Sequence, residues 1–210
     1  MKRHFVVAVL LLLTVAPLNA QAPKGWKLRV DRSMSASDPD AAGDIKFVEV
    51  GSGFHATNPK AAVYWNPANT AIGNYTLKGT FKLVRTGGHS EYYGLLFGGS
   101  GLDGPAQSYT YFMVEQDGTW LIKSRNGSST AQVASSGSPS DAVKKADASG
   151  TSTNALEVRV MPDKVEFVVN GKVVNTTPKS GQAVKTDGIY GIRINHMLEV
   201  QVDGFGVSKM

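Results

Sequence analysis

Apolar and polar residues alternate one by one along most of this chain, and no stretch repeats with a capped helical period of 3.6 residues. Trp26-Lys27-Leu28-Arg29-Val30, the run from Tyr75 to Leu83, Leu156-Glu157-Val158-Arg159-Val160 and Leu198-Glu199-Val200-Gln201-Val202 each place apolar side chains on one face and polar ones on the other. Period two is the repeat of a strand with one wet side. Along Glu91–Phe97 both faces are apolar, as in a central strand covered on both sides.

Turn residues punctuate the alternation. Asp117-Gly118 separates Tyr109–Glu115 from Thr119–Arg125, and Asn170-Gly171 separates Lys164–Val169 from Lys172–Asn175. Asp-Gly and Asn-Gly accept the positive φ angles of two-residue hairpin turns, and such short links join only antiparallel neighbours. A dozen or so short strands without helices predict an all-β sandwich or barrel. Gly127–Asn154, rich in Ser, Ala and Gly, reads as a long mobile connection with a weak strand at Thr130–Ala134 and at most one or two helical turns in Ser140–Ala148.

Residues 1–20 have the order of a secretory leader: Lys2 and Arg3, an apolar run from Phe5 to Val15, Pro17, and the small residue Ala20. The run is too short to span a bilayer. The expected mature protein, residues 21–210, is one exported domain, secreted or periplasmic. Of the formal net charge of +5, Lys2 and Arg3 belong to the leader, which leaves +3 scattered over the remainder. No basic stripe or reading motif points to nucleic acid. The chain has no cysteine, which excludes thiol catalysis, cysteine-based zinc sites and disulfides, so burial alone must hold the fold.

Several blocks are familiar in their order: Tyr93-Gly94-Leu95-Leu96-Phe97-Gly98-Gly99, Tyr109-Thr110-Tyr111-Phe112-Met113-Val114, Asp117-Gly118-Thr119-Trp120, Val168-Val169-Asn170-Gly171, Gly188-Ile189-Tyr190-Gly191-Ile192 and Val202-Asp203-Gly204-Phe205. Over roughly residues 45–208 the chain resembles the concanavalin A-like lectin/glucanase superfamily, particularly laminin-G-like domains and the bacterial 3-keto-disaccharide hydrolase (DUF1080-like) domain. The resemblance implies a jelly-roll sandwich of two antiparallel sheets. For function it implies a carbohydrate-binding or surface-interaction module; the alternatives are a glycoside-cleaving enzyme of the 3-keto-disaccharide hydrolase type and a structural envelope protein. The partner it implies is a glycan or polysaccharide.

The motifs for chemistry are sparse. Glycosidases of this superfamily carry Glu-x-Asp-x-x-Glu on one strand, and no such run occurs; Glu157, Glu166 and Glu199 stand alone on wet strand faces. Gly99-Ser100-Gly101-Leu102-Asp103-Gly104 matches a dinucleotide-binding pattern, but Pro105 and a strand beginning near Ser108 follow where a helix is required. Asp38, Asp40, Asp44 and Glu49 fall near calcium-loop spacing around Gly43, yet Ala42 and Lys46 occupy two ligand positions, so the segment reads as an acidic turn into an Ile45–Val50 strand. Calcium there is the one cofactor candidate, and no metal ligand is assigned. The candidate glycan-binding residues are His55, Trp65, His89, Glu91, Tyr92 and Arg125, because aromatic rings stack on sugar faces while imidazole, carboxylate and guanidinium groups bond hydroxyls. His55, His89 and Glu91 are also the plausible acid–base or metal-binding groups. His196, between two strands, reads as a turn residue.

Overall fold

The computed structural model describes residues 22–31, 37–134, 137–179 and 184–210; the leader expected at residues 1–20 lies outside them. Among the described residues fifteen strands form two antiparallel sheets: β1 (Lys27–Val30), β2 (Lys46–Val50), β3 (Gly53–Asn58), β4 (Ala62–Ala71), β5 (Tyr75–Arg85), β6 (Tyr92–Ser100), β7 (Ser108–Glu115), β8 (Thr119–Asn126), β9 (Ser129–Gln132), β10 (Ser138–Pro139), β11 (Ser152–Val160), β12 (Lys164–Val169), β13 (Lys172–Pro178), β14 (Gly188–Ile194) and β15 (Leu198–Lys209). The first sheet runs β1-β4-β14-β6-β7-β8-β10, with β9 also paired to β8; the second runs β13-β12-β11-β5-β15-β3-β2. Among the described residues there is no helix, and hence none long and apolar enough to cross a membrane.

Both hairpins expected from the sequence form. Gly118 sits at φ +95° after Asp117, whose carboxylate accepts from the Thr119 N–H, and Asn170 and Gly171 sit at +49° and +81°. The Asn-Gly pair thus adopts two consecutive left-handed residues, the requirement of the turn that matches strand twist. The strand foreseen at Thr130–Ala134 is β9, which begins one residue earlier and ends two residues earlier, at Gln132.

The core lies between the sheets. Leu95, Phe97, Phe112 and Ile122 from the first sheet meet Leu77, Phe81, Val158 and Phe167 from the second. Beyond it the sheets differ. On the second sheet the polar residues of the alternation face outward and pair along and across strands, as where Arg159 bonds Glu157 on its own strand at 2.9 Å and faces Glu166 of β12 at 3.9 Å. On the first sheet the outer face carries a further apolar layer: Val63, Trp65, Leu96, Leu102, Tyr109, Tyr111, Met113 and Leu121 form a separate buried cluster. This second layer explains why β6 and β7 are buried on both faces.

The segment 127–154 departs from expectation. Its described residues contain no helix, and its middle is packed down: Ala142 and Val143 are buried in the main core. Fully buried Asn154 holds it, accepting from the Lys144 N–H at 2.8 Å and donating to the Lys144 carbonyl at 3.1 Å, while Asn170 donates to the Ala142 carbonyl at 2.8 Å. Satisfying a buried amide this way fixes the path of the connection.

Candidate functional site

Two short connections meet at one end of the sandwich. The β14–β15 turn, Asn195-His196-Met197, reverses direction through Met197 at φ +55°, which rolls the His196 side chain inward until it is 4% exposed. The β5–β6 connection lies against this turn at Gly87, where a Cβ would stand 2.5 Å from the Met197 Cβ. Only glycine permits that approach, and it brings His89 and Glu91 beside His196. Gln116, after β7, fastens the connection by accepting from the Glu91 N–H at 3.0 Å and donating to the His89 carbonyl at 2.8 Å.

Asp38 completes the group from the segment before β2. Its Oδ1 lies 3.0 Å from Nε2 of His89 and 3.0 Å from Nε2 of His196. Glu91 Oε1 lies 2.6 Å from His196 Nε2 and 3.3 Å from His89 Nε2, and the two Nε2 atoms are 3.1 Å apart. Around these, His196 Nδ1 is 3.0 Å from Asp40 Oδ1, and Asn195 donates to Glu91 Oε2 at 2.6 Å. Burial alone lowers the His196 pKa, but the hydrogen bond to Asp40 and the charges of Glu91 and Asp38 outweigh it and raise the value above the ordinary imidazole range. A cleft of about 350 Å³ lies next to the group, lined by Asp44, Thr57, Asn58, Arg85, Gly87 and Met197.

A second polar group crosses the outer face of the first sheet. Asp31, just after β1, receives Arg193 Nη1 of β14, Arg29 Nη2 at 3.0 Å and Arg125 Nη1 at 3.6 Å. Arg193 also donates to the Tyr109 hydroxyl at 3.0 Å and lies 5.1 Å from the centre of the Tyr111 ring. Burial pushes the Asp31 pKa up, but the charge and hydrogen bond of Arg193, then Arg125 and Arg29, hold it below the usual carboxylate range. Beside Arg125 and Tyr109 opens a pocket of about 150 Å³ lined also by Ser108, Thr110, Ser124, Asn126 and Lys185. That lining offers hydroxyls and two cations and no carboxylate.

The residues singled out in the sequence therefore divide among three places. His89 and Glu91 meet, joined by Asp38 and by His196, which occupies a turn as expected but is more than a turn former. His55 is absent from that group; it stands on β3 of the second sheet, 2.9 Å from Glu199. Tyr92 and Arg125 lie on the outer side of the first sheet, the Tyr92 hydroxyl 3.1 Å from Thr119 Oγ1. Trp65 shares that face but is 2% exposed within its apolar layer, so it has no ring face free for a sugar. Within 38–49, Asp38 and Asp40 turn to the histidines, while Glu49 stands exposed on β2. The participation of Asp38 and His196 carried no spacing signal, because the group gathers three segments far apart in sequence.

No protein-family model matches the chain, and no curated protein matches it in sequence. Solved structures do match. The carbohydrate binding module CBM66 from Bacillus subtilis superposes with a TM-score of 0.57 at 11% identity, over 88% of this chain and 96% of that one. The fold is a concanavalin A-like jelly roll. A Bacteroides ovatus mixed-linkage glucan GH16 protein in complex with its product gives 0.53 at 11% identity, covering 91% and 97%. The carbohydrate recognition domain of Emp46p gives 0.52 at 13% identity, covering 87% of each chain. At these identities what this jelly roll shares with them is architecture.

Proposed function

We propose that this chain is an exported carbohydrate-binding module, with 21–210 as its mature domain, and that its ligand is a glycan carrying anionic groups. The observation that carries this reading is the pocket beside Arg125, where the hydroxyls of Ser108 and Ser124 and the cations of Arg125 and Lys185 line one recess without an acid. Hydroxyls and an amide exchange hydrogen bonds with sugar hydroxyls, and the two cations suit a uronate carboxylate or a sulfate ester. Arg125 is held for the purpose, its Nε donating to the Gly127 carbonyl at 3.1 Å. The jelly-roll neighbours, two of them named as carbohydrate-binding, support the same class.

A glycan array comparing acidic with neutral polysaccharides tests this, followed by calorimetry. Binding is expected with a Kd in the roughly micromolar to millimolar range, weakening with salt. Arg125→Ala and Lys185→Ala should each weaken it about tenfold, near 1.4 kcal/mol, with the fold intact. Absence of glycan binding would leave a structural envelope role, and unchanged affinity in both variants would refute the pocket. A second reading, glycoside cleavage, is favoured by the meeting of His89 and Glu91; turnover of a 3-keto-glycoside lost in Glu91→Gln would promote it.

A further inference from the structure

We propose that Asp38, His89, Glu91 and His196 form a binding site for one zinc-class divalent cation. Each residue contributes one atom, Asp38 Oδ1, His89 Nε2, Glu91 Oε1 and His196 Nε2, and all four atoms lie within 4.8 Å of one another. The separations among them run from 2.6 to 3.3 Å for the five pairs in contact. A tetrahedron with metal–ligand bonds of about 2.0–2.2 Å has edges of roughly 3.3–3.6 Å, so four of the five pairs need to open by at most about half an ångström and the Glu91–His196 pair by about 0.7–1.0 Å, a rotamer-scale adjustment, to hold the ion.

The arrangement is awkward without a cation. Both Nε2 atoms can be satisfied without one only if each carries a proton and donates it to a carboxylate, His89 to Asp38 and His196 to Glu91, which leaves two N–H groups pointed at each other across 3.1 Å. A dication at the centre satisfies all four lone pairs and neutralises both carboxylates. The surrounding contacts are those that orient ligands: Asp40 takes the His196 Nδ1 proton, which frees Nε2, and the Asn195 amide occupies Glu91 Oε2, which frees Oε1. Gln116 fixes the backbone that carries His89 and Glu91.

The donor chemistry selects the metal. Two imidazoles with two carboxylates suit zinc and its first-row neighbours, whereas calcium and magnesium favour six or more oxygen ligands. Asp38, with its side chain 45% exposed, stands on the solvent side and provides the route of entry. Loaded, the site would tie the segment before β2 to the β5–β6 connection and the β14–β15 turn.

The test is to strip the purified chain with a chelator, titrate zinc against a competing chromophoric chelator, and record melting and the visible spectrum with cobalt. One equivalent should bind, melting should rise with zinc and stay unmoved by calcium or magnesium, and cobalt should give the intense bands of a tetrahedral site. His89→Ala and Asp38→Asn should each weaken zinc binding by roughly tenfold or more, while His55→Ala leaves it unchanged. Both substituted residues are partly exposed, so the circular dichroism of these variants should match the parent, and Asp38→Asn reads the site if His89→Ala does not fold. No bound zinc, binding equal to the parent in both variants, or binding lost in His55→Ala would overturn the proposal.

Discussion

Asp31→Ala should be among the more destabilising single changes in this chain, because it strips the counter-charge from an arginine whose side chain is about nine-tenths buried. Arg193 is buried, and its Nη1 bonds both Asp31 and the Tyr109 hydroxyl. Removing one partner of a buried pair costs roughly 3–5 kcal/mol, mostly as the penalty of the charge left behind. Arg29 and Arg125 are about one-fifth exposed and can rehydrate, so the loss at Arg193 dominates and the lower end, about 3 kcal/mol, is expected. For a chain of this size that corresponds to a fall in Tm of about 6–12 °C. Urea unfolding should show a lower midpoint at an unchanged slope. Arg193→Met in the same background removes the stranded charge, so the double variant should recover part of the loss, a coupling that a thermodynamic cycle reads directly. A loss below about 1 kcal/mol, or a double variant whose cost is the sum of the singles, would refute the reasoning.

Two further outcomes follow from the same geometry. Since the folded Asp31 has a depressed pKa, its contribution is complete above the ordinary carboxylate range and is lost as pH falls through the lower folded value; urea midpoints between about pH 6 and pH 2 should show this loss, and Asp31→Asn should flatten that part of the curve. Gly87→Ala would place a methyl group 2.5 Å from the Met197 Cβ and 3.2 Å from its carbonyl oxygen, so it should cost about 1–3 kcal/mol and shift the ring-proton resonances of His89 and His196 together, and an unaltered spectrum would show that the contact between the two connections is not what positions the histidines.

The architecture was legible because it is written locally. Gly118 and the Asn170-Gly171 pair supply the positive φ that their turns demand, and alternation assigns the faces of β5, β11 and β15 one residue at a time. The site was legible only in part, since His89 and Glu91 are neighbours while Asp38 and His196 reach them by folding alone. Trp65 misled for a related reason. Alternation marks it as facing away from the main core, but the outer face of the first sheet carries its own apolar layer, made by Leu96, Tyr111 and Leu121 from other strands. The connection 127–154 likewise reads as polar and loose by composition; its anchor, Asn154, works through hydrogen bonds that composition does not display.

The strand order also bears on how the molecule behaves among its own copies. A sheet edge is an unfinished ladder on which another chain can build. In the first sheet the described outer strands are β1, four residues long with Lys27 and Arg29, and on the far side β9 and β10, which share the edge of β8 in two short pieces. In the second sheet β13 is offset by a bulge opposite Phe167 and Val168 and ends at Pro178, while β2 carries Lys46 and Glu49. Brief, charged, interrupted or bulged borders give an incoming strand little to pair with. In a chain with no disulfides to hold partly opened states together, such borders favour staying separate at high local concentration.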